Sequence, residues 1–261
     1  MTTFNSENKE TLDLNLLAGG NSSGANPIGY NGSPLAASQM VSTAATPTFE
    51  TTTTPTLAEQ RVVFHNISWQ AYEQILAALG NNRSSRLTYD RGTLEITMPL
   101  EEHESPTRLI ELFIRVLVVE LGLKIKTMGS TTLNRPDLQR SAEPDDCYYI
   151  QNHQKVAGKI VDLNTDPTPD LIVEVDITHT NINKFNLYAS MGVPEFWRYN
   201  GKILRIYQLD DNQYIEVENS PTFPCSIKER ICTFLAEAKL DEVQASKSLR
   251  GWVQQQVSEK S

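Results

Sequence analysis

The nine residues Pro169-Asp170-Leu171-Ile172-Val173-Glu174-Val175-Asp176-Ile177 leave few folds open. A run this short and this rich in β-branched and apolar residues reads as a strand. The two-residue period of a strand sends Leu171, Val173, Val175 and Ile177 to one face and Asp170, Ile172, Glu174 and Asp176 to the other. The first face is a continuous core stripe. The second carries three carboxylates, which repel one another and cost roughly several kcal/mol each if buried without compensation. Two resolutions stay open from this segment alone. Either the acidic face is solvated or ion-paired to Lys and Arg on neighbouring elements, or a divalent cation neutralises it. Mg²⁺ suits the second, because it takes one or two carboxylates together with water and substrate phosphate. At roughly 3.3 Å per residue, Asp176 lies about 7 Å from Glu174 along the strand and Asp170 about 13 Å, so Asp176 is the better candidate to share an ion with Glu174.

A second acidic element, Glu143-Pro144-Asp145-Asp146, directly precedes the strand-like Cys147-Tyr148-Tyr149-Ile150. Pro-Asp pairs are common in turns, so this element gains meaning only beside the first. If Asp145 and Glu174 hold one cation, their carboxylates must approach to roughly 4–6 Å, given Mg²⁺–oxygen bonds of about 2.1 Å.

The rest of the chain divides into a tail, a domain and a last helix. Residues 1–58 are dominated by Asn, Ser, Thr, Gly, Ala and Pro and are expected to be a disordered tail, since too little apolar surface offsets the cost of ordering. The domain is expected over 59–239. Ser68 caps a helix carrying Trp69, Tyr72, Ile75, Leu76 and Leu79. Arg86–Tyr89 and Thr93–Met98 flank Asp90-Arg91-Gly92 as a hairpin. Pro106 opens a second, mostly apolar helix that Gly122 closes. Lys124–Thr131 reads as a strand, Asn134–Glu143 as a polar loop, and Lys184–Met191 as a helix entered through Thr180-Asn181. Asn200-Gly201 marks a hairpin between Phe196–Tyr199 and Lys202–Leu209, followed by a strand at Tyr214–Glu218. The order predicts a mixed α/β fold. A last helix over 240–261, with Leu240, Val243, Leu249, Trp252 and Val257, packs on the domain or makes an interface.

The formal net charge of −9 does not advertise a nucleic-acid binder, because neutralising phosphates takes clustered Lys and Arg. Any such contact must be local, with Lys124, Lys126, Arg135 and Arg140 as the candidates, although a bound cation would itself offset the acids that hold it. Cys147, Cys225 and Cys232 have no CxxC spacing and the four histidines no HxxxH pair, so neither a disulfide framework nor a zinc site is indicated. The opening Met-Thr-Thr-Phe-Asn-Ser-Glu has no secretory pattern and no run reaches about eighteen apolar residues, so a cytoplasmic protein without a membrane span is expected.

Pro144-Asp145, the strand bearing Glu174, Lys184-x-x-x-Tyr188 and Gly192-Val193-Pro194-Glu195-Phe196-Trp197, in this order, resemble the bacterial Uma-two family, itself similar to the PD-(D/E)XK restriction-endonuclease-like superfamily. The resemblance covers residues 62–239. It implies a restriction-endonuclease-like core, a central mixed sheet flanked by helices, and a Mg²⁺- or Mn²⁺-dependent endonuclease that hydrolyses phosphodiester bonds in DNA. It also implies a homodimer, since cutting two strands is simplest with two sites about a two-fold axis. Carried over by residue, it makes Asp145 and Glu174 catalytic and metal-binding, with Asp176 a further ligand. The superfamily's lysine usually stands two residues after the second acid, where this chain has Asp176, so Lys184 on the following helix is implied to take its place. Glu101-Glu102-His103-Glu104 matches the family's acidic entry to the first core helix and adds Glu102 and Glu104 to the candidates, although carboxylates there also suit the positive end of a helix dipole. Tyr188, Phe196 and Trp197 are expected in the core rather than as base-stacking platforms. The alternative is an inactive nuclease-fold module that binds or regulates, because a fold does not secure an activity.

Overall fold

The computed structural model describes residues 48–50, 59–80, 82–177 and 179–259. Its strands are β1 (Thr48–Glu50), β2 (Glu59–His65), β3 (Arg86–Asp90), β4 (Thr93–Pro99), β5 (Lys126–Thr127), β6 (Leu133–Arg135), β7 (Arg140–Ala142), β8 (Asp146–Tyr149), β9 (Leu171–Val175), β10 (Glu195–Tyr199), β11 (Leu204–Asp210) and β12 (Gln213–Val217). Its helices are α1 (Trp69–Leu79), α2 (Glu101–Glu120), α3 (His153–Val156), α4 (Lys184–Met191), α5 (Ile227–Ala238) and α6 (Glu242–Ser258). The strands form two six-stranded sheets, β1-β2-β4-β3-β7-β6 and β12-β11-β10-β9-β8-β5. The second is mixed, because β9 and β10 run parallel while its other pairs are antiparallel. Mixed α/β architecture with a restriction-endonuclease-like core is therefore what the chain adopts. Among the described residues no helix is long and apolar enough to cross a membrane.

Strand β9 is the divider between two cores, and its period-two pattern does the dividing. Leu171, Val173 and Val175 pack with α2, α5 and α6, joined by Trp197 and Ile206. Ile172 faces the other way, into a core with Cys147, Phe196 and the α4 residues Leu187, Tyr188 and Met191. A third cluster packs α1 on the first sheet through Tyr72, Leu87, Tyr89 and Leu94. Helix α6 is part of the first of these cores, with Ala245, Leu249 and Val253 buried.

Several elements depart from the sequence reading. The expected tail lies outside the described residues except for Thr48–Glu50, which pair with β2 and so are not structureless. Helix α2 begins at Glu101, not at Pro106, so the acids form its first turn, where the helix dipole favours them. Pro106 removes the N–H that would bond the carbonyl of Glu102, an exposed residue. The expected polar loop 134–143 holds β6 and β7, with Arg140 and Ser141 buried because Asp90 and the Tyr72 hydroxyl pair them. The strand expected at 124–131 shrinks to Lys126–Thr127, and the cap of α4 is Asn183 rather than Thr180 or Asn181. Strand β2 and helix α5 were not expected. For α5 the signal was present, since Ile227, Ile231, Phe234, Leu235 and Ala238 recur at helical spacing and are buried.

Asp146 shows how the strand period separates two neighbouring acids. It pairs with Val173 and faces α2, buried to 1% exposure, with its carboxylate accepting from the Cys147 N–H and the Tyr148 hydroxyl. Burial first, then the charge of Glu111, pushes its carboxyl up to about 6. A carboxyl raised in the folded state adds stability below its unfolded value, roughly 3.9, and loses it as the pH climbs through the folded one. Asp146→Asn, which mimics the neutral acid, is thus expected to exceed the parent in stability above pH 6 by on the order of 2 kcal/mol. The gain should fade towards pH 4. Urea unfolding at both pH values measures it, and a difference independent of pH would show that ionisation of Asp146 is not its source.

Candidate active site

Two acids of the other face, Glu174 and Asp176, share one cation, and Asp145 joins them from the neighbouring strand. Asp145 stands one residue ahead of β8, so extending the register Asp146↔Val173 by one step sets it across from Glu174. Its Oδ2 accepts the backbone N–H of Val175 at 2.6 Å, which ties it to the peptide that follows Glu174. Both acids are buried.

Helix α4 brings the cation. Asn183 caps it by accepting the Asn186 N–H, which starts the helix at Lys184, ten residues beyond Glu174. The first turn of a helix is an unfavourable place for a cation, so Lys184 must be held by its partners. Its Nζ lies 2.6 Å from Glu174 Oε2 and 2.7 Å from Asp176 Oδ1. One turn later on the same helix face, the Tyr188 hydroxyl donates to Glu174 Oε1. The Lys184-x-x-x-Tyr188 spacing thus engages each oxygen of Glu174 with one donor. Asp176 has both oxygens in use as well, since its Oδ2 accepts from Arg198 Nε at 2.9 Å.

The first sheet and α2 supply the other wall. Arg86 of β3 donates one guanidinium nitrogen to Asp145 and the other to Glu104 at 2.7 Å. His103, in the first turn of α2, places Nε2 3.1 Å from Asp145 Oδ2, while its Nδ1 is buried with no hydrogen-bond partner. Glu95 of β4 accepts from the Thr180 hydroxyl and the Asn181 N–H, fixing the segment that leads into α4.

The environments push the two central acids apart. Burial raises Glu174, opposed by the charge and hydrogen bond of Lys184 and assisted by the charges of Asp145 and Asp176. Burial acts on Asp145 too, but the hydrogen bond and charge of His103, with Arg86 and Lys184, outweigh it and hold this carboxyl below the ordinary range. Despite burial, His103 is raised by Asp145. Neighbouring acids whose environments push them in opposite directions are the pattern by which acid and base roles are divided in active sites.

Of the residues singled out in the sequence, Asp145, Glu174, Asp176 and Lys184 come together. Glu104 joins them through Arg86, whereas Glu102 is exposed and without an ion pair. Asp170, at the other end of the strand, accepts from the Ile150 and Asn152 N–H groups and holds a loop. Tyr188, Phe196 and Trp197 are core residues. Among the phosphate candidates, Lys126 is bound by the carbonyls of Val156 and Lys159, Arg135 by Asp137 and Arg140 by Asp90, while Lys124 is exposed. Arg86 was not singled out, and Arg198, which alternates opposite Trp197 in the sequence, reads there as merely exposed, whereas Asp176 pairs it. Alternation gives Arg198 the strand face of Phe196, but only the pairing of β10 with β9 brings that face to Glu174.

Carboxylate oxygens are hard donors that suit Mg²⁺ or Mn²⁺. No group of three His, Cys, Asp or Glu among the described residues is arranged as a protein-only metal cage. Asp145 and Glu174 stand across from each other on neighbouring strands, and theirs is the donor type that Mg²⁺ takes when water and a substrate phosphate complete its shell. No residue of this cluster lines the hollow of Lys126, His153 and Ile160 (about 410 Å³) or that of Arg83, Ser85, Thr132 and Glu143 (about 260 Å³), although Ser85 and Glu143 of the second are near neighbours in sequence of Arg86 and Asp145.

A family model, Uma2, described as "Putative restriction endonuclease", matches residues 69–231. No curated protein matches the chain at a significant level.

Proposed function

The chain belongs to the Uma2 family, and from that premise we propose that it is a divalent-metal-dependent endonuclease that hydrolyses phosphodiester bonds in DNA. The observation that carries the proposal is the meeting of Asp145, Glu174 and Lys184 at one buried point, although 29 residues part the two acids and like charges would otherwise be kept apart. Asp145 and Glu174 would hold Mg²⁺ or Mn²⁺. Such an ion supplies polarisation of the phosphoryl oxygens and a lowered pKa for water.

The chain's own residues supply position and charge. Arg86, His103 and the Val175 N–H fix both oxygens of Asp145, so its orientation is set before substrate arrives. An ammonium carries three N–H donors, and Lys184 spends two on Glu174 and Asp176. The third can meet a phosphate oxygen on which charge grows in the transition state, inside a site where burial strengthens the interaction. Tyr188 holds the remaining oxygen of Glu174.

Purified protein incubated with supercoiled plasmid and Mg²⁺ or Mn²⁺ is expected to nick or linearise it, with chelator abolishing the reaction. Asp145→Ala should lose both cleavage and the calorimetric heat of cation binding. An intact plasmid with either metal overturns the nuclease reading. The contrasting reading, a binding or regulatory module, is favoured by the internal pairing of Asp145, Glu174 and Asp176 with Arg86, Lys184 and Arg198. It predicts DNA left uncut and no cation binding that depends on Asp145.

A further inference from the structure

We propose that Arg198 is the residue through which this site grips its substrate, by contacting the non-bridging oxygens of a backbone phosphate on the nucleic-acid strand. In this arrangement Asp176 is a bracket for two cations and not a metal ligand. The inference rests on the nuclease reading above. Arg198 pairs with Glu174 across the parallel β9–β10 ladder, so the two side chains share a face of the sheet and the guanidinium stands at the acid cluster. Asp176 anchors it through Nε at 2.9 Å, and the Phe185 ring of α4 supports its plane, with the guanidinium carbon 5.7 Å from the ring centroid. A single anchoring bond at Nε leaves the two terminal nitrogens, with four N–H donors, for a ligand.

Exposure separates Arg198 from the other cations of the site. Its side chain is 35% exposed, against 12% for both Lys184 and Arg86, which are committed to two acids each. Arg198 therefore stands at the mouth while Lys184 stands at the base. An Arg fork, held at one end and steadied on an aromatic face, matches the geometry of two phosphate oxygens. A chain with net charge −9 needs such a local contact to hold a polyanion at all. Asp176 fits the bracket role because each of its oxygens already serves one cation, Lys184 inside and Arg198 outside. It would thereby fix the spacing between the residue that binds phosphate and the residue that acts on it.

The test uses the full chain and a fluorescently labelled duplex, with anisotropy read in chelator and cleavage read in Mg²⁺. Arg198→Ala is expected to raise Kd and KM roughly 10- to 100-fold, the worth of a charge-assisted hydrogen bond. It should also lower the slope of log Kd against log salt by about one phosphate contact while changing kcat little. Arg198→Lys should restore part of the affinity, since it returns the charge without the fork. If Arg198→Ala lowers the melting temperature strongly, Arg198→Gln makes the same comparison, because it keeps a donor near Asp176 without the charge. Asp176→Asn, which loosens the bracket, should raise KM while leaving the heat of cation binding unchanged. An Arg198→Ala protein with parental Kd, KM and salt slope overturns the inference while leaving the nuclease reading intact. A parent that neither binds nor cuts the duplex overturns both.

Discussion

Lys184→Met is expected to cut the cleavage rate by about 10²- to 10³-fold, the loss that follows removal of one transition-state donor from a water-excluded site. Stability should fall as well. Lys184 is the cation that Glu174 and Asp176 share, and removing one partner of a buried ion pair costs about 3–5 kcal/mol because the stranded charge stays buried. The two effects can be told apart by pH. Burial already raises Glu174, and Lys184 is the strongest influence holding it down, so without the lysine the carboxyl takes up a proton more readily. A group raised in the folded state contributes stability below its unfolded value and loses it as the pH rises, so the stability deficit should shrink on acidification towards about pH 4. The catalytic loss should remain at every pH where both proteins are folded. Lys184→Arg restores charge but not the compact ammonium between two acids, and should recover stability more than activity. Cleavage by Lys184→Met at the parental rate, in a sample folded by near-ultraviolet circular dichroism, would remove the lysine from the mechanism.

What could be read from the chain depended on whether the information was local. The two faces of Leu171–Val175 were legible because strand periodicity depends on nothing beyond the strand, and the two cores that meet there follow from it. The Asn200-Gly201 hairpin and the Gly192 end of α4 were legible for the same reason, since Gly201 and Gly192 sit at φ +88° and +77°, where a side chain is strained. The acidic face was read as needing neutralisation, which holds. Lys184 was singled out, but the arginines that complete the neutralisation were not foreseen, because Arg86 comes from 59 residues before Asp145 and Arg198 from 22 residues after Asp176. No period links such positions. The hairpin of β6 and β7 was read as a loop because Arg140 and Ser141 look solvated until Asp90 and Tyr72 are brought against them by the fold. Polar residues buried by tertiary partners are invisible to a pattern that equates polarity with exposure.

Arg61→Met is expected to destabilise the domain by about 3–5 kcal/mol, a fall in melting temperature of roughly 10 °C or more. Arg61 lies between Glu59 and Glu95, and all three side chains are at most 8% exposed. Methionine fills the space but leaves two carboxylates facing each other without a cation. The charge matters more than the contact: a triple variant with Arg61→Met, Glu59→Gln and Glu95→Gln should recover much of the loss, since a buried ionic cluster replaced as a whole is often neutral in stability. Activity should follow a different course. Glu95 also accepts from the Thr180 hydroxyl and the Asn181 N–H, each at 3.0 Å, and so sets where the chain turns into α4 and presents Lys184. A glutamine at 95 has one acceptor oxygen where the carboxylate has two, so one of those bonds is lost and the segment before Lys184 gains slack. The triple variant is therefore expected to regain stability while remaining impaired in cleavage, with kcat affected more than KM, because in the proposed reaction Lys184 acts on the reacting phosphate and Arg198 binds it from another element. A loss below about 1 kcal/mol in Arg61→Met would show that the two acids share a proton or reach water instead. Parental kcat in the triple variant would show that Glu95 plays no part in placing Lys184.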